Sequence, residues 1–405
     1  MANRKILLLT PGYKADDTGI NASPVINFFA KDWVRLGYDV RVVHLHAKFP
    51  APMRWIAKLN KKKLESKLSV TICTKDVKER KYVDEIVPVY RIPMLKVVPH
   101  GKFLNITINR ATSKIIAYCE EQAFMPDVII SHWVNPCVDV MLKLKETFKV
   151  PIVDVLHSNG EELVKLYKNR AKEIVESVDI WGYRCKAIKE RFEEVYGPRK
   201  KWIYSYSGIP DSYITDDTPY RKYDFKDRFI YVGNLRARKN PVSVIEAISK
   251  SYSKDDVFSL TYVGVGAEEE KVKDIAIRHG FSSDQLQMPG FVARDTVRKM
   301  MQESDVFILI SRNEVYGLVY LEAMSVGCIT VASKKEGFDG IIEDGINGFL
   351  CEAGNANELA SIIEKIRRMT PDERQVISNN AMDTAKKMTD SMVAKDYIES
   401  VIKQC

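Results

Sequence analysis

The segment 305–333 constrains the fold most strongly, because it has the pattern of a strand, a loop, a helix and a second strand. The apolar, β-branched run DVFILI at 305–310 is typical of a parallel strand that is buried on both faces. In LVYLEAMSVG, which follows the loop, apolar residues recur at helical spacing and Gly327 fits a helix C-cap. CITVAS then forms the next strand. We therefore expect α/β structure built on parallel sheets.

The loop at 311–315, together with Gly317 just after it, is a candidate binding site. In open α/β sheets, ligands lie beyond the carboxyl ends of the strands, and a helix N-terminus there offers N–H groups to an anion. Gly317 stands where the backbone must approach a ligand, Glu314 lies in the loop, and Glu322 is expected two turns into the helix. Because carboxylates repel phosphate, we expect them to accept from neutral hydroxyls. A ligand with phosphate and many hydroxyls is a sugar nucleotide.

Glu314, Gly317 and Glu322, the LEAMSVG helix and DGINGFL at 344–350 resemble the E-x7-E signature of retaining GT-B glycosyltransferases of family GT4. The resemblance implies an α/β GT-B fold, with two Rossmann-like, doubly wound parallel-sheet domains facing a central cleft. It implies an acceptor-binding domain at 1–208, a nucleotide-sugar-binding domain at 209–388, and a helix at 389–405 that crosses back to the first domain.

Composition supports two globular domains and excludes several other classes. The chain has 405 residues, of which 45% are hydrophobic and 29% charged. The net charge of +8 could favour an anionic donor, acceptor or membrane surface, but no motif indicates nucleic acid. The seven cysteines form no C-x-x-C pair, so neither a zinc site nor a disulfide framework is expected. With no signal peptide or long apolar run, a cytoplasmic protein is expected.

The segment APMRWIAKLNKKKLESKL at 51–68 has two interpretations that the sequence leaves open. It mixes Trp55, Ile56, Leu59 and Leu64 with a cluster of lysines. An amphipathic helix on an anionic membrane, near a lipid-linked acceptor at the inner face, would show this pattern. So would a solvated basic helix or loop that covers the domain.

In the first half, the resemblance implies two site residues. KILLLT and DVRVVHL are predicted strands with a helix between them. Gly19, in the loop after the first strand, resembles the glycine that approaches the donor phosphates, although a plain turn glycine fits equally well. His132 closes the strand of PDVIISHW and resembles a histidine beside the donor sugar. A buried structural histidine is the alternative.

In the second half, the loop after the strand RFIYV is predicted to bind a diphosphate. Arg236, Arg238 and Lys239 can reach an anion at the next helix N-terminus. Lys239 matches the lysine of the family pattern G-R-L-x-x-x-K, but Asn234 stands where the arginine is usual. Either Arg236 or Arg238 supplies the missing charge, or Lys239 and the helix N–H groups hold the phosphate alone. The resemblance also places Gly264 and the Val292 backbone beside the nucleotide base. EGFDG at 336–340 departs from the family's G-G-x-x-E turn.

The function implied is sugar transfer from a UDP- or GDP-sugar to a glycan or lipid-linked acceptor, with retention and without a metal or other cofactor. Glu322 would accept from the ribose, Glu314 from the donor sugar, and Lys239 and Arg236 would neutralise the diphosphate. Backbone N–H groups of Tyr316, Gly317 and Leu318 would contact phosphate or sugar. Such a hexosyltransferase would serve bacterial capsule, exopolysaccharide or O-antigen synthesis. A non-catalytic nucleotide-sugar-binding subunit and a GT-B sugar-nucleotide 2-epimerase are the alternatives.

Overall fold

The computed structural model describes residues 4–18, 24–68 and 70–405. The chain forms two compact units. The first contains residues 1–184, 189–205 and 394–405, and the second contains residues 185–188 and 206–393. Each unit is built on one sheet with helices between its strands.

The sheet of the first unit has eight strands in the order β3-β4-β2-β1-β5-β6-β7-β8, all parallel except for the β3 and β4 hairpin. Every residue of the fifth and sixth strands is buried, as expected for strands covered on both faces. The strands are β1 (Lys5–Thr10), β2 (Asp39–Lys48), β3 (Arg80–Asp84), β4 (Val87–Leu95), β5 (Val128–His132), β6 (Ile152–Leu156), β7 (Ile180–Tyr183) and β8 (Trp202–Tyr204).

The helices of this half are α1 (Val25–Arg35), α2 (Ala51–Leu59), α3 (Lys61–Leu68), α4 (Asn105–Glu121), α5 (Val134–Phe148), α6 (Glu161–Tyr167), α7 (Ala171–Ser177) and α8 (Lys186–Tyr196). The segment 51–68, expected to form one helix or a loop, is two helices. The break falls at Asn60, whose φ of −151° and ψ of 73° are not helical.

The sheet of the second unit has six parallel strands in the order β11-β10-β9-β12-β13-β14. They are β9 (Arg228–Val232), β10 (Ser259–Val263), β11 (Leu286–Gly290), β12 (Val306–Ile308), β13 (Ile329–Ser333) and β14 (Phe349–Cys351). The helices are α9 (Pro241–Ser251), α10 (Glu269–Arg278), α11 (Arg294–Glu303), α12 (Leu318–Ser325), α13 (Ala356–Arg368), α14 (Pro371–Lys386) and α15 (Asp390–Gln404). The predicted α/β fold with two parallel sheets is confirmed.

Helix α15 contributes residues 394–404 to the first unit. The indole N–H of Trp33, on α1, donates to the carbonyl of Ala394 at 2.9 Å. The ring of Tyr397 packs edge-on against Phe29 and Trp33, with ring centroids 5.2 and 5.1 Å apart. The helix is therefore part of the buried core of that unit.

Candidate functional site

Four loops that carry predicted site residues meet at the carboxyl edge of the second sheet. They follow β11, β10, β9 and β12, which are consecutive neighbours in the sheet. Because all four strands are parallel, their carboxyl ends lie at the same edge. The fold therefore brings the predicted residues Lys239, Gly264, Val292 and Glu314 to one end of the unit, although they are far apart in sequence.

Lys239 and Glu314 form an ion pair at this edge. Lys239 ends a short 3₁₀ turn at 237–239, and only 13% of its side chain and 11% of that of Glu314 are exposed. The Ser311 hydroxyl also donates to Glu314 at 2.9 Å. The sequence predicts hydroxyl partners for this carboxylate, whereas in the structure it has a cation and one hydroxyl. A phosphate that reached Lys239 would replace the Glu314 carboxylate as the partner of the ammonium group.

The backbone at 316–318 is shaped by two glycines. Gly317 has a φ of +85°, and a Cβ there would lie 2.4 Å from the ring of Tyr320. A Cβ on Gly337 would lie 2.5 Å from the carbonyl oxygen of Tyr316, so the EGFDG turn packs directly on this backbone. Helix α12 begins at Leu318, and the Tyr320 N–H donates to the Gly317 carbonyl at 3.0 Å, which leaves the first two N–H groups of the helix without a partner inside it. The loop therefore ends in an anion-binding geometry.

The EGFDG turn also forms a hydrogen bond with the backbone of Glu314. The carboxylate of Glu336, itself buried, accepts from the Glu314 N–H at 2.9 Å. In the sequence this turn stands out only as a departure from the family pattern, and nothing in it predicts the contact.

Glu322 is the fifth residue of α12, so it lies one turn into the helix and not two. The guanidinium of Arg294, at the start of α11, donates to its carboxylate at 2.8 and 2.5 Å. This guanidinium also lies 5.2 Å from the ring centre of Tyr213. Arg294 was not predicted from the sequence, because an arginine 28 positions before Glu322 carries no local signal.

The remaining predicted residues of this unit occupy different environments. Gly264 has a φ of +136°, and a Cβ there would lie 2.1 Å from the carbonyl oxygen of Gly233, so only glycine fits. Val292 is half-buried in the loop after β11. Arg236 and Arg238 are exposed, and within the described ranges neither guanidinium forms an ion pair. Both remain available to an anion.

His132 lies in the first unit at the end of β5 and is fully buried. Its Nδ1 lies 2.9 Å from Nε2 of His157, and its Nε2 lies 3.2 Å from the Tyr397 hydroxyl. Burial holds the pKa of His132 well below its usual value, so the imidazole is neutral near pH 7. Gly19 lies outside the described residues.

The described part of the chain contains no group of three or more histidine, cysteine, aspartate or glutamate residues that could hold a metal ion. No helix in residues 4–18, 24–68 or 70–405 has the length and apolar character needed to cross a bilayer.

Comparison with solved structures identifies the class of fold. The Anabaena protein HepE, solved in complex with UDP, superposes with a TM-score of 0.65 at 16% sequence identity. The match covers 99% of this chain and 100% of that chain. Likeness at this identity shows the fold, which is GT-B with two Rossmann-like parallel-sheet units.

Comparison with sequences indicates the type of protein. Residues 215–384 match the family model of glycosyl transferases group 1. An uncharacterized glycosyltransferase of Methanocaldococcus jannaschii is 26% identical, over 65% of this chain and 71% of that protein. A Salmonella typhimurium glycosyltransferase named for colanic acid biosynthesis is 23% identical, over 77% of this chain and 78% of that protein. Together with the fold, these matches support a GT-B glycosyltransferase.

Proposed function

We propose that the protein transfers a hexosyl group from a nucleotide sugar to a glycan or lipid-linked acceptor, with retention of anomeric configuration. The observation that carries the proposal is the arrangement of Lys239, Glu314 and Gly317 at the carboxyl edge of the second sheet. All three residues lie within the segment matched by the family model. Retention and membership of family GT4 rest on the E-x7-E resemblance.

In this proposal, Lys239 and the first-turn N–H groups of α12 hold the donor diphosphate. As the bond to the sugar breaks, negative charge grows on the departing nucleoside diphosphate, and fixed positive groups stabilise that charge. Arg236, which is exposed beside the same turn, adds a second cation. No metal or other cofactor is assigned, because these groups supply the required charge.

The two glutamates bind hydroxyls of the donor. When Lys239 turns to the diphosphate, Glu314 is released to accept from a sugar hydroxyl. Glu322, oriented by Arg294, accepts from the ribose hydroxyls. Val292 and Gly264 border the base. Contact of His132 with the donor sugar stays a prediction, and it requires exchange of one of the two contacts that its ring nitrogens now make.

The donor class is tested by a thermal-shift panel of UDP, GDP, ADP and their sugar conjugates. HepE was solved with UDP, so the uridine series is the first choice. A ligand at 100 times its Kd stabilises the folded protein by about 2.7 kcal/mol. We expect one series to stabilise the wild type and to lose most of its effect in Glu322→Ala. If no nucleotide shifts the wild type, the proposed donor site is wrong. Binding without transfer to any acceptor would favour the non-catalytic subunit.

The acceptor is proposed to be a growing lipid-linked glycan of a bacterial surface polysaccharide. The Salmonella relative is named for synthesis of such a polymer, colanic acid. The test is transfer of labelled sugar to lipid extracts of a polysaccharide-producing cell. Label that appears only in free sugar would count against a lipid-linked acceptor.

We further propose that α2 contacts an anionic membrane. Trp55, Ile56 and Leu59 lie at i, i+1 and i+4 on this helix, and Trp55 and Leu59 are 76% and 87% exposed. Lys58 adds positive charge among them. Sedimentation with phosphatidylglycerol vesicles should fall sharply in Trp55→Ser and stay unchanged in Ile277→Ser, a control at an exposed isoleucine of α10. Equal sedimentation of the two variants would refute this contact.

A further inference from the structure

A cavity of about 710 Å³ opens at the carboxyl edge of the first sheet. Its walls come from the ends of β1, β2, β4 and β5, which are consecutive neighbours in the sheet order β4-β2-β1-β5. Pro11 follows β1, Ala47 lies near the end of β2, Lys96 follows β4 and Trp133 follows β5. This edge is where open α/β sheets bind ligands. The cavity lies wholly within the first unit.

Lys96 is the unusual residue of this cavity, because it is a cation that is only 5% exposed. Its ammonium donates to the Gly101 carbonyl at 2.5 Å and lies 4.2 Å from the ring centre of Phe103. Among the described residues, no carboxylate pairs with it. Burial alone lowers its pKa to about 8. Buried charges in proteins are normally paired with a group of opposite charge, and this ammonium group has no such partner among the described residues.

The other charged groups of the wall do not supply that partner. Glu162 accepts from the Ser158 hydroxyl at 2.9 Å, and burial raises its pKa. Lys165 is exposed and lies 3.4 Å from Glu161. Lys96 therefore remains the one buried cation that lines the cavity in the described part of the chain.

Trp133 gives the cavity an aromatic wall. Its indole stacks on His157, with ring centroids 3.8 Å apart, and its outer ring reaches the backbone of Gly12. A Cβ on Gly12 would lie 2.6 Å from this ring, so only glycine leaves room for it. Phe103 lines the cavity near Lys96. A charged anchor beside rigid aromatic surface suits a sugar that carries an acidic group.

We propose that this cavity binds an oxyanion of the acceptor, a phosphate or a carboxylate, with Lys96 as its ionic anchor and Trp133 against the adjoining sugar. The inference rests on the proposed function, since it names the chemistry of the acceptor in the first unit. The acidic group would come from a sugar phosphate or lipid phosphate, or from a uronic acid. Either would supply the missing partner of Lys96.

Fluorescence titration tests the proposal, because Trp133 lines the cavity and all five tryptophans lie in the first unit. The probes are glucose 1-phosphate, glucuronate and, as a neutral control, glucose. We expect one or both acids to bind and glucose not to bind; the acid that binds more tightly identifies the source of the oxyanion. Lys96→Met should weaken binding at least about tenfold, whereas Lys96→Arg, which keeps the charge, should retain it. Lys172→Met, at an exposed lysine of α7 that does not line the cavity, is the matched control and should bind within about twofold of wild type.

Two outcomes overturn the proposal. One is wild-type protein that binds neither acid. The other is a Lys96→Met variant that binds the acids as tightly as the wild type does, whether or not its melting temperature is lower. Lys96 would then serve only to hold the Gly101 loop through its hydrogen bond. If Lys96→Met does not fold, Lys96→Gln and Lys96→Arg replace it in the test. Loss of binding in Lys96→Gln together with retained binding in Lys96→Arg supports the site, whereas equal binding by the two variants overturns the proposal. UDP binding, measured on the same proteins, reports the second unit separately. Its absence from wild type would refute the proposed donor site and leave the oxyanion result to stand alone.

Discussion

Replacing Lys239 with methionine tests both the stability and the chemistry assigned to the ion pair with Glu314. The change keeps most of the side-chain volume and removes the charge. Both partners are largely buried, so the variant strands a carboxylate whose remaining side-chain donor is the Ser311 hydroxyl. Breaking a fully buried pair costs about 3–5 kcal/mol, and an exposed pair contributes at most about 1 kcal/mol. At this burial we expect a loss of about 2–3 kcal/mol in the free energy of unfolding.

The stability assay must report on the second unit. Because all five tryptophans are in the first unit, urea unfolding is followed by circular dichroism, which reports on the helices of both units and should show the loss. Adding Glu314→Gln to Lys239→Met removes the stranded charge and should restore most of the stability. Lys271→Met, at an exposed lysine of α10, is the control. If the effects of Lys239→Met and Glu314→Gln simply add, the pair contributes no coupling energy and this reasoning is wrong.

The same variant tests the chemistry. A charge-assisted contact is worth about 1.5–3 kcal/mol, so kcat/KM for the donor should fall about 10- to 150-fold in Lys239→Met. The expected loss applies equally to binding of the free nucleoside diphosphate. Near-normal turnover and nucleotide affinity would remove Lys239 from the mechanism.

Three further predictions concern backbone, buried charge and pH. Gly317→Ala should lower the free energy of unfolding by about 1–3 kcal/mol more than Gly345→Ala. Both glycines have a positive φ, but only a Cβ on Gly317 would meet a neighbouring side chain. Only Gly317→Ala should also weaken donor binding. Burial raises the pKa of Asp154 to about 7 in the folded protein, so the folded state holds its proton more tightly than the unfolded state does. The contribution of Asp154 to the free energy of unfolding is therefore most favourable below its unfolded pKa near 3.8, and it is lost as the pH rises to 7. Relative to Asp154→Asn, the wild type should therefore lose up to about 1.4 kcal/mol per pH unit across pH 4–7; a constant difference would contradict this. Because the pKa of Lys96 is lowered to about 8, the affinity of the cavity for sulfate should fall about tenfold between pH 7 and 9 in the wild type and stay constant in Lys96→Arg. The same fall should persist in His100→Gln, Glu162→Gln and Lys165→Met, which would exclude the other titratable groups of the cavity wall.

Local sequence pattern was sufficient to predict most of the framework. DVFILI, KILLLT and PDVIISHW are strands because their runs are apolar on both faces, and the structure buries them in parallel sheets. The position of Glu314 in a loop before a helix followed from the apolar run DVFILI and the helical spacing of LVYLEAMSVG on either side of it. These features depend on residues that are close together in the sequence.

The missed contacts depend on neighbours that only the tertiary fold provides. Arg294 reaches Glu322 from another helix, and Glu336 reaches the Glu314 N–H from the loop after the next strand. Lys96 resembles any other lysine of a basic segment until the sheet order encloses it. The helix break at Asn60 likewise has no strong local signal, since neither glycine nor proline marks it.

The docking of α15 in the first unit has a consequence for biosynthesis. Trp33 and the carbonyl that it contacts are 361 positions apart, and Tyr397 contacts His132 across 265 positions. When the first 205 residues leave the ribosome, the surface formed by Phe29, Trp33 and His132 still lacks its cover. The first unit can therefore complete its core only after the second has been synthesised, which reverses the usual N-terminal-first order of domain folding.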